Sequence, residues 1–204
     1  PEMISPDSDL YREYPDWAIH IDEREGVQSR NQMVLDLSRD EVCEYVINAV
    51  SDILANANIE YVKWDMNRQL TDMPRLGYNH EYTLGYYKIM SAITEKFPNI
   101  LFEGCSAGGG RFDAGVLAYM PQIWTSDNSD AIARLKMQYS TSMCYPVYSI
   151  SSHVTASPNH QCGRDTSLKT RADVAYCGTF GYELNPNSLT EAEREAIKKQ
   201  TAFM

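Results

Sequence analysis

Several things are scarce in this 204-residue chain, and each scarcity removes a class of function. Positive charge is short: 18 Lys and Arg stand against 28 Asp and Glu, for a formal net charge of -10. Phosphate backbones need a basic surface, so no nucleic-acid partner is expected. The five cysteines, at positions 43, 105, 144, 162 and 177, are odd in number and none stands in a C-x-x-C pair. That argues against a disulfide framework or a zinc ribbon and for a reducing, cytoplasmic compartment. No apolar run is long enough to span a bilayer, so no membrane partner is expected. The four histidines include no H-x-H or H-E-x-x-H spacing, and structural roles are expected for His153 and His160 rather than metal binding. A nucleophilic serine has no G-x-S-x-G elbow to occupy. An initiator methionine is also missing: the chain opens Pro1-Glu2-Met3, as a segment of something longer would.

What remains is an ordinary globular composition, 43% hydrophobic and 23% charged, enough for one sizeable core. Tyrosine is plentiful, at 14 residues against 5 phenylalanines. An aromatic face carrying a hydroxyl suits a sugar-binding cleft, although half-buried packing is the commoner use of such residues.

The first 33 residues read as irregular, with a turn at Pro15-Asp16-Trp17 and a solvated charge run from Asp22 to Glu25. A short apolar run, Met33 to Leu37, precedes the capping-box sequence Ser38-Arg39-Asp40-Glu41. Behind it Val42, Tyr45, Val46, Ala49, Val50, Ile53 and Leu54 keep helical spacing, predicting a helix over 39–56. Further helices are predicted over 80–96 (buried side Leu84, Tyr87, Ile93 and Phe97), near 113–119, over 130–142 and over 167–173. A last helix opens at the capping box Thr190 to Glu193. Strands are predicted near residues 59, 100, 122, 147 and 175. Strands alternating with helices imply a parallel sheet. A complete (β/α)8 TIM barrel takes about 250 residues, so the pattern fits only the later strands and helices of one. The expectation is a single catalytic barrel domain over 1–204, incomplete because a parallel sheet cut open exposes unpaired edges.

The chemistry gathers at strand ends. Tyr61-Val62-Lys63-Trp64-Asp65-Met66-Asn67-Arg68 begins as an apolar strand and finishes in polar and ionisable residues. In barrels of this kind that end of the strand carries the active site. Asp65 is the candidate reactive carboxylate, with Lys63 and Arg68 as cationic neighbours; a buried ion pair is the plainer alternative. A second strand delivers Ser126-Asp127-Asn128-Ser129-Asp130, and Asp130 is read first as the cap of the helix that follows. Two carboxyl groups flanking one bond are what glycoside hydrolysis requires. Cys105-Ser106-Ala107-Gly108-Gly109-Gly110-Arg111 also follows a strand, but fits neither a P-loop nor G-x-G-x-x-G. Its glycines would let backbone approach a sugar ring closely.

Taken together, K-W-D-M-N-R (63–68), C-x-x-G-G-G-R (105–111) and W-T-S-D-N-S-D-A (124–131) resemble the α-galactosidases of glycoside hydrolase family 36. Pro1-Glu2-Met3, Asp9-Leu10-Tyr11, Pro15-Asp16-Trp17 and Arg30-Asn31-Gln32 extend the resemblance over nearly the whole chain. The resemblance implies retaining hydrolysis of terminal α-galactosyl residues from melibiose- or raffinose-type oligosaccharides, without metal or organic cofactor. It casts Asp65 as nucleophile and Asp127 as acid/base, with Arg30, Lys63, Asn67, Cys105 and Gly108 around the galactose. It also implies an N-terminal β-sandwich, first barrel strands and a C-terminal β domain outside this chain. Those first strands would bring an acidic pair and a tryptophan to the pocket. The loop from Arg68 to His80 is shorter than in tetrameric bacterial members, which leaves a homo-oligomer open. Alternatives are a galactosyl-transferring relative, an inactive sugar-binding fragment, or a metal-dependent barrel hydrolase.

Overall fold

A computed structural model describes residues 2–204, so Pro1, the first position of the Pro1-Glu2-Met3 match, lies outside the described residues. The chain forms two units, Pro1–Ala107 with Asp113–Met120, and Gly108–Phe112 with Pro121–Met204.

The first unit begins with two short antiparallel strands, β1 (Met3–Ile4) and β2 (Met33–Val34), registered Met3 to Val34. The stretch between them, predicted irregular, contains one helical segment, α1 (Asp9–Glu13). The Ser8 hydroxyl accepts the Tyr11 amide at 3.2 Å and caps it. A long helix, α2 (Asp40–Asn56), follows, and its predicted capping box is a correction. Arg39 occupies the cap position without a side-chain cap bond, because Ser38 donates its hydroxyl to Asp36 at 2.6 Å instead.

Strand β3 (Tyr61–Asp65), helix α3 (Tyr78–Lys96) and strand β4 (Leu101–Cys105) come next. β3 and β4 are parallel, in register from Tyr61–Leu101 to Asp65–Cys105. α3 packs on α2 with a stripe that keeps Ile93 of the predicted one, leaves Tyr87 and Phe97 half-buried, and otherwise differs from it. Leu84 is exposed, while Tyr78, Tyr82, Tyr86, Ile89, Met90 and Ile93 are buried. Tyrosines can take that inner face because their hydroxyls find acceptors: Tyr78 donates to Asp36 at 2.7 Å, and Tyr86 meets the Met120 sulfur at 3.5 Å. Gly85 sits on the same helix where a Cβ would lie 1.8 Å from the Leu37 carbonyl oxygen, which explains a glycine in mid-helix.

In the second unit, β5 (Gln122–Trp124), β6 (Ile150–Thr155) and β7 (Thr179–Glu183) are parallel neighbours. The helices between them are α4 (Ala131–Ser142) and α5 (Leu168–Ala175). Gln138 of α4 ties them together, donating to the Val174 carbonyl at 2.9 Å and accepting from Ser152 at 2.7 Å. Two strand predictions shift here. Val147–Ser149 is a 3-10 turn, closed where the Ser149 amide reaches the Pro146 carbonyl at 3.0 Å, so the strand predicted near 147 starts at Ile150 and carries Ser151, Ser152 and His153. β7 starts at Thr179 because α5 runs on to Ala175. The closing helix α6 (Glu191–Phe203) has the predicted capping box, with Thr190 and Glu193 bonded reciprocally. No helix among the described residues is long and apolar enough to cross a membrane.

Candidate active site

Strand periodicity decides which side chains of β3 and β4 share a face. Val62 and Trp64 alternate with Tyr61, Lys63 and Asp65, and Trp64 is fully buried. On the other strand Glu103 and Cys105 are the register partners of Lys63 and Asp65. Beyond Leu101, the register partner of Tyr61, this face is polar. Glu103, whose side chain is 1% exposed, accepts the Tyr61 hydroxyl at 2.8 Å and lies 3.8 Å from the Lys63 ammonium. Partial burial, followed by the hydrogen bond to Glu103, pushes the Tyr61 phenol well above its ordinary range. Glu103 was not singled out in the sequence. The available signal was an acidic residue in mid-strand, in register with a lysine, and register is not visible from one strand alone.

Asp65 ends this stack at the carboxyl end of β3. One carboxylate oxygen accepts from the Asn67 amide at 2.6 Å; the other is shielded from solvent and accepts no hydrogen bond. Backbone pairing continues one step past the strand, with the Met66 amide on the Cys105 carbonyl at 3.1 Å. Lys63, Asp65, Asn67 and Cys105 are thus brought together by two strands and their first turn. Arg68 is not. Its side chain is 3% exposed and turned into the adjoining loop, where it donates to the Val27 carbonyl at 2.7 Å and to Thr71 at 2.9 Å, with Asp72 at 3.9 Å. The cationic support predicted for Asp65 from Arg68 is therefore corrected: a guanidinium this buried takes the carbonyls nearest it.

Arg30 is exposed at the tip of a two-residue turn between Ser29 and Gln32, whose backbones exchange bonds of 3.1 and 3.0 Å. Arg30 and Asn31 both have positive φ, 54° and 56°. Asparagine tolerates that conformation, and Asn31 is further tethered to Asp7 at 2.7 Å. An arginine there costs roughly 1 kcal/mol or more. Among the described residues it has no hydrogen bond to Lys63, Asp65 or Asn67.

In the second unit, the segment after β5 carries Asp127 on a tip tied down almost entirely through its backbone. The Arg134 guanidinium, buried and stacked 4.1 Å over the Trp124 ring, donates to the carbonyls of Ser126 at 2.6 Å and Asn128 at 2.9 Å, and to the Thr125 hydroxyl at 2.5 Å. Gln161 donates to the Asp127 carbonyl at 2.5 Å and accepts the Ser129 amide at 3.1 Å. Thr155 takes the Ser129 carbonyl at 3.1 Å. Four successive carbonyls, 126 to 129, are each held by a side chain, while Asp127 itself is exposed. Asp130 does cap α4, accepting the Ala133 amide at 3.0 Å and pairing with Arg164. Gly108 belongs to this tip. At φ +86°, a Cβ on it would lie 2.8 Å from Ser126 Cα and 3.1 Å from the Asp127 amide nitrogen. Its glycine permits close approach of the Asp127 segment.

His153 stacks on Trp124 with ring centroids 4.7 Å apart and lies 3.5 Å from Glu183; His160 is exposed. Among the described residues no group of three or more His, Cys, Asp and Glu side chains could hold a metal ion. Cys43 and Cys105 are buried free thiols, and Cys144, Cys162 and Cys177 are exposed ones.

Comparison with known proteins places these strand ends in a family. The alpha-galactosidase AgaA of Geobacillus stearothermophilus is 54% identical over 211 residues, taking in 100% of this chain and 29% of that protein. Its crystal structure superposes with a TM-score of 0.96. Variants of AgaA have been solved in complex with raffinose and with stachyose. The bifunctional alpha-galactosidase/sucrose kinase AgaSK of Mediterraneibacter gnavus is 52% identical, covering 98% of this chain and 21% of that protein. The galactosidase domain of AgaSK matches with a TM-score of 0.97, over 100% of this chain and 28% of that one. The chain thus spans less than a third of the length of the curated relatives it matches. Structural agreement at this identity makes the fold part of a (β/α)8 barrel, as the strand-helix rhythm predicted. The melibiase family model matches residues 1–204, and the chain belongs to that family.

Proposed function

We propose that the protein hydrolyses terminal α-D-galactosyl residues from oligosaccharides of the raffinose, stachyose and melibiose kind, with retention of configuration. Asp65 attacks the anomeric carbon and forms a galactosyl-enzyme ester as the glycosidic bond breaks. Asp127 gives its proton to the departing oxygen, then takes one from the water that attacks the ester, regenerating both carboxyl groups. Lys63, Asn67, Cys105, Arg30 and Gly108 are assigned to the galactose pocket. The observation that carries this reading is the state of Asp65. One oxygen is fixed at 2.6 Å by Asn67 and the other is buried without a hydrogen bond, at the carboxyl end of a barrel strand. A charged carboxylate oriented in this way is suited to in-line attack rather than to capping or pairing.

The polar wall of Lys63 and Glu103 supports sugar recognition, because an epimer with a hydroxyl on the wrong side misses the hydrogen bonds that these fixed charged groups offer. The chain is read as part of the catalytic barrel, and its exposed free thiols fit a cytoplasmic setting. Proton NMR of the first product released from an aryl α-galactoside by the full-length protein tests the chemistry. Retention gives α-galactose first, mutarotating later to the β form; β-galactose appearing first would overturn the double displacement.

A further inference from the structure

We infer that Gln161 is a positioning residue for the Asp127 carboxyl group, and that the loop carrying it exists to set the angle at which that acid meets the leaving oxygen. The inference rests on the acid/base reading of Asp127 and deepens it. Gln161 lies 34 residues from Asp127, yet its side-chain amide spans the turn on which that residue stands, donating to the Asp127 carbonyl at 2.5 Å and accepting the Ser129 amide at 3.1 Å. One planar group thereby sets the two peptide units that flank Asn128. Gln161 is itself placed by its neighbour: Asn159, 5% exposed, accepts the Gln161 and Cys162 amides at 3.0 and 3.3 Å and donates to the Ser129 hydroxyl at 3.2 Å. On the opposite side Arg134 holds the carbonyls of residues 126 and 128. Arg134 is buried in the core of the unit, whereas Gln161 is exposed on a loop. An exposed glutamine adds little to a core, so its two bonds act chiefly on the geometry of the tip.

Positioning of an acid has a signature that general destabilisation lacks. Proton donation matters for a poor leaving group and hardly at all for a good one, so the loss follows the leaving group. Misplacement by about 1 Å can cost roughly a hundredfold. In the full-length protein, Gln161→Ala is expected to lower kcat on raffinose at least tenfold. On an aryl α-galactoside with a nitrophenolate leaving group the drop in bond cleavage, read as the pre-steady-state burst because hydrolysis of the ester also needs Asp127, should stay under threefold. Gln161→Glu keeps the acceptor for Ser129 but sets an oxygen against the Asp127 carbonyl, and should show the same pattern. It serves as the second variant if the alanine form is poorly folded. Asp127→Ala is the reference. Equal losses on the two substrates, or no loss, beside a leaving-group-dependent loss in Asp127→Ala would overturn the role of Gln161 alone. Absence of that dependence in Asp127→Ala would overturn the acid/base reading and this inference with it.

Discussion

Asp65 is held by its side chain at the end of a registered strand pair, with Asn67 on one oxygen, whereas Asp127 is held by its backbone, with four carbonyls clamped and the side chain exposed. The contrast matches what the two proposed tasks demand. A nucleophile must point one charged oxygen along a fixed line, so its own carboxylate is restrained. An acid that later serves as a base must reach a leaving oxygen and then a water, so the restraint falls on its carrier and the carboxyl group keeps its freedom. The first arrangement draws on secondary structure; the second uses long-range side-chain bonds from α4, β6 and the loop at 159–161.

Replacement of the two aspartates gives the sharpest break between the sites. Asp65→Ala in the full-length protein should lower kcat by roughly 10⁴-fold or more on raffinose and on an activated aryl α-galactoside alike, because every substrate needs the nucleophile. Asp127→Ala should cost roughly 10²–10⁴-fold on raffinose and far less in bond cleavage of the aryl substrate, read as the pre-steady-state burst. Equal behaviour of the two variants would erase the distinction.

Glycines sharpen the comparison at smaller effect. Gly77 and Gly108 both have positive φ, 82° and 86°, but only Gly108 has backbone atoms within 4 Å of where a Cβ would stand. Gly108→Ala should therefore lower kcat about tenfold or more by pushing on Ser126 and Asp127. Gly77→Ala should cost only about 1 kcal/mol of stability, read from a denaturant midpoint, with kcat unchanged. If both substitutions act on stability alone, the backbone clamp at Asp127 is not what orients it.

Alkaline stability separates the regions more gently. Burial pushes the Cys43 thiol up to about 11 from an ordinary 9, and burial also raises the Tyr61 and Tyr78 phenols, all in the first unit. The folded state thus holds these protons more tightly than the unfolded state. The stabilisation from Cys43 is complete below pH 9 and is lost as pH climbs through about 11, and that from the two tyrosines is lost at still higher pH. Cys43→Ala should flatten the fall in unfolding free energy over that window, measured by urea titration at successive pH values. A slope unchanged by the substitution would remove Cys43 from the account.

Much of this was legible in the sequence, because it depends on local periodicity and on motifs at strand ends. The K-W-D-M-N-R stretch announced β3 and its polar terminus, Asp130 read correctly as a cap, and Thr190 to Glu193 named its own helix start. Where a choice depended on a distant partner, local patterns misled. Ser38 caps nothing because Asp36 captures it, α3 buries tyrosines because Asp36 and Met120 lie within reach of their hydroxyls, and Arg68 serves Val27 and Thr71 rather than Asp65. Gln161 carried no signal at all, since its meaning lies wholly in residues 127 and 129, more than thirty positions upstream.

The most direct test of the central claim is to trap the intermediate. The full-length protein would be incubated with an activated fluorogalactoside that forms the ester quickly and releases it slowly, then digested and sequenced by mass spectrometry. The galactosyl label is predicted on Asp65. A label on Asp127, Asp130 or Glu103, or intact turnover with no labelled peptide, would contradict the assignment.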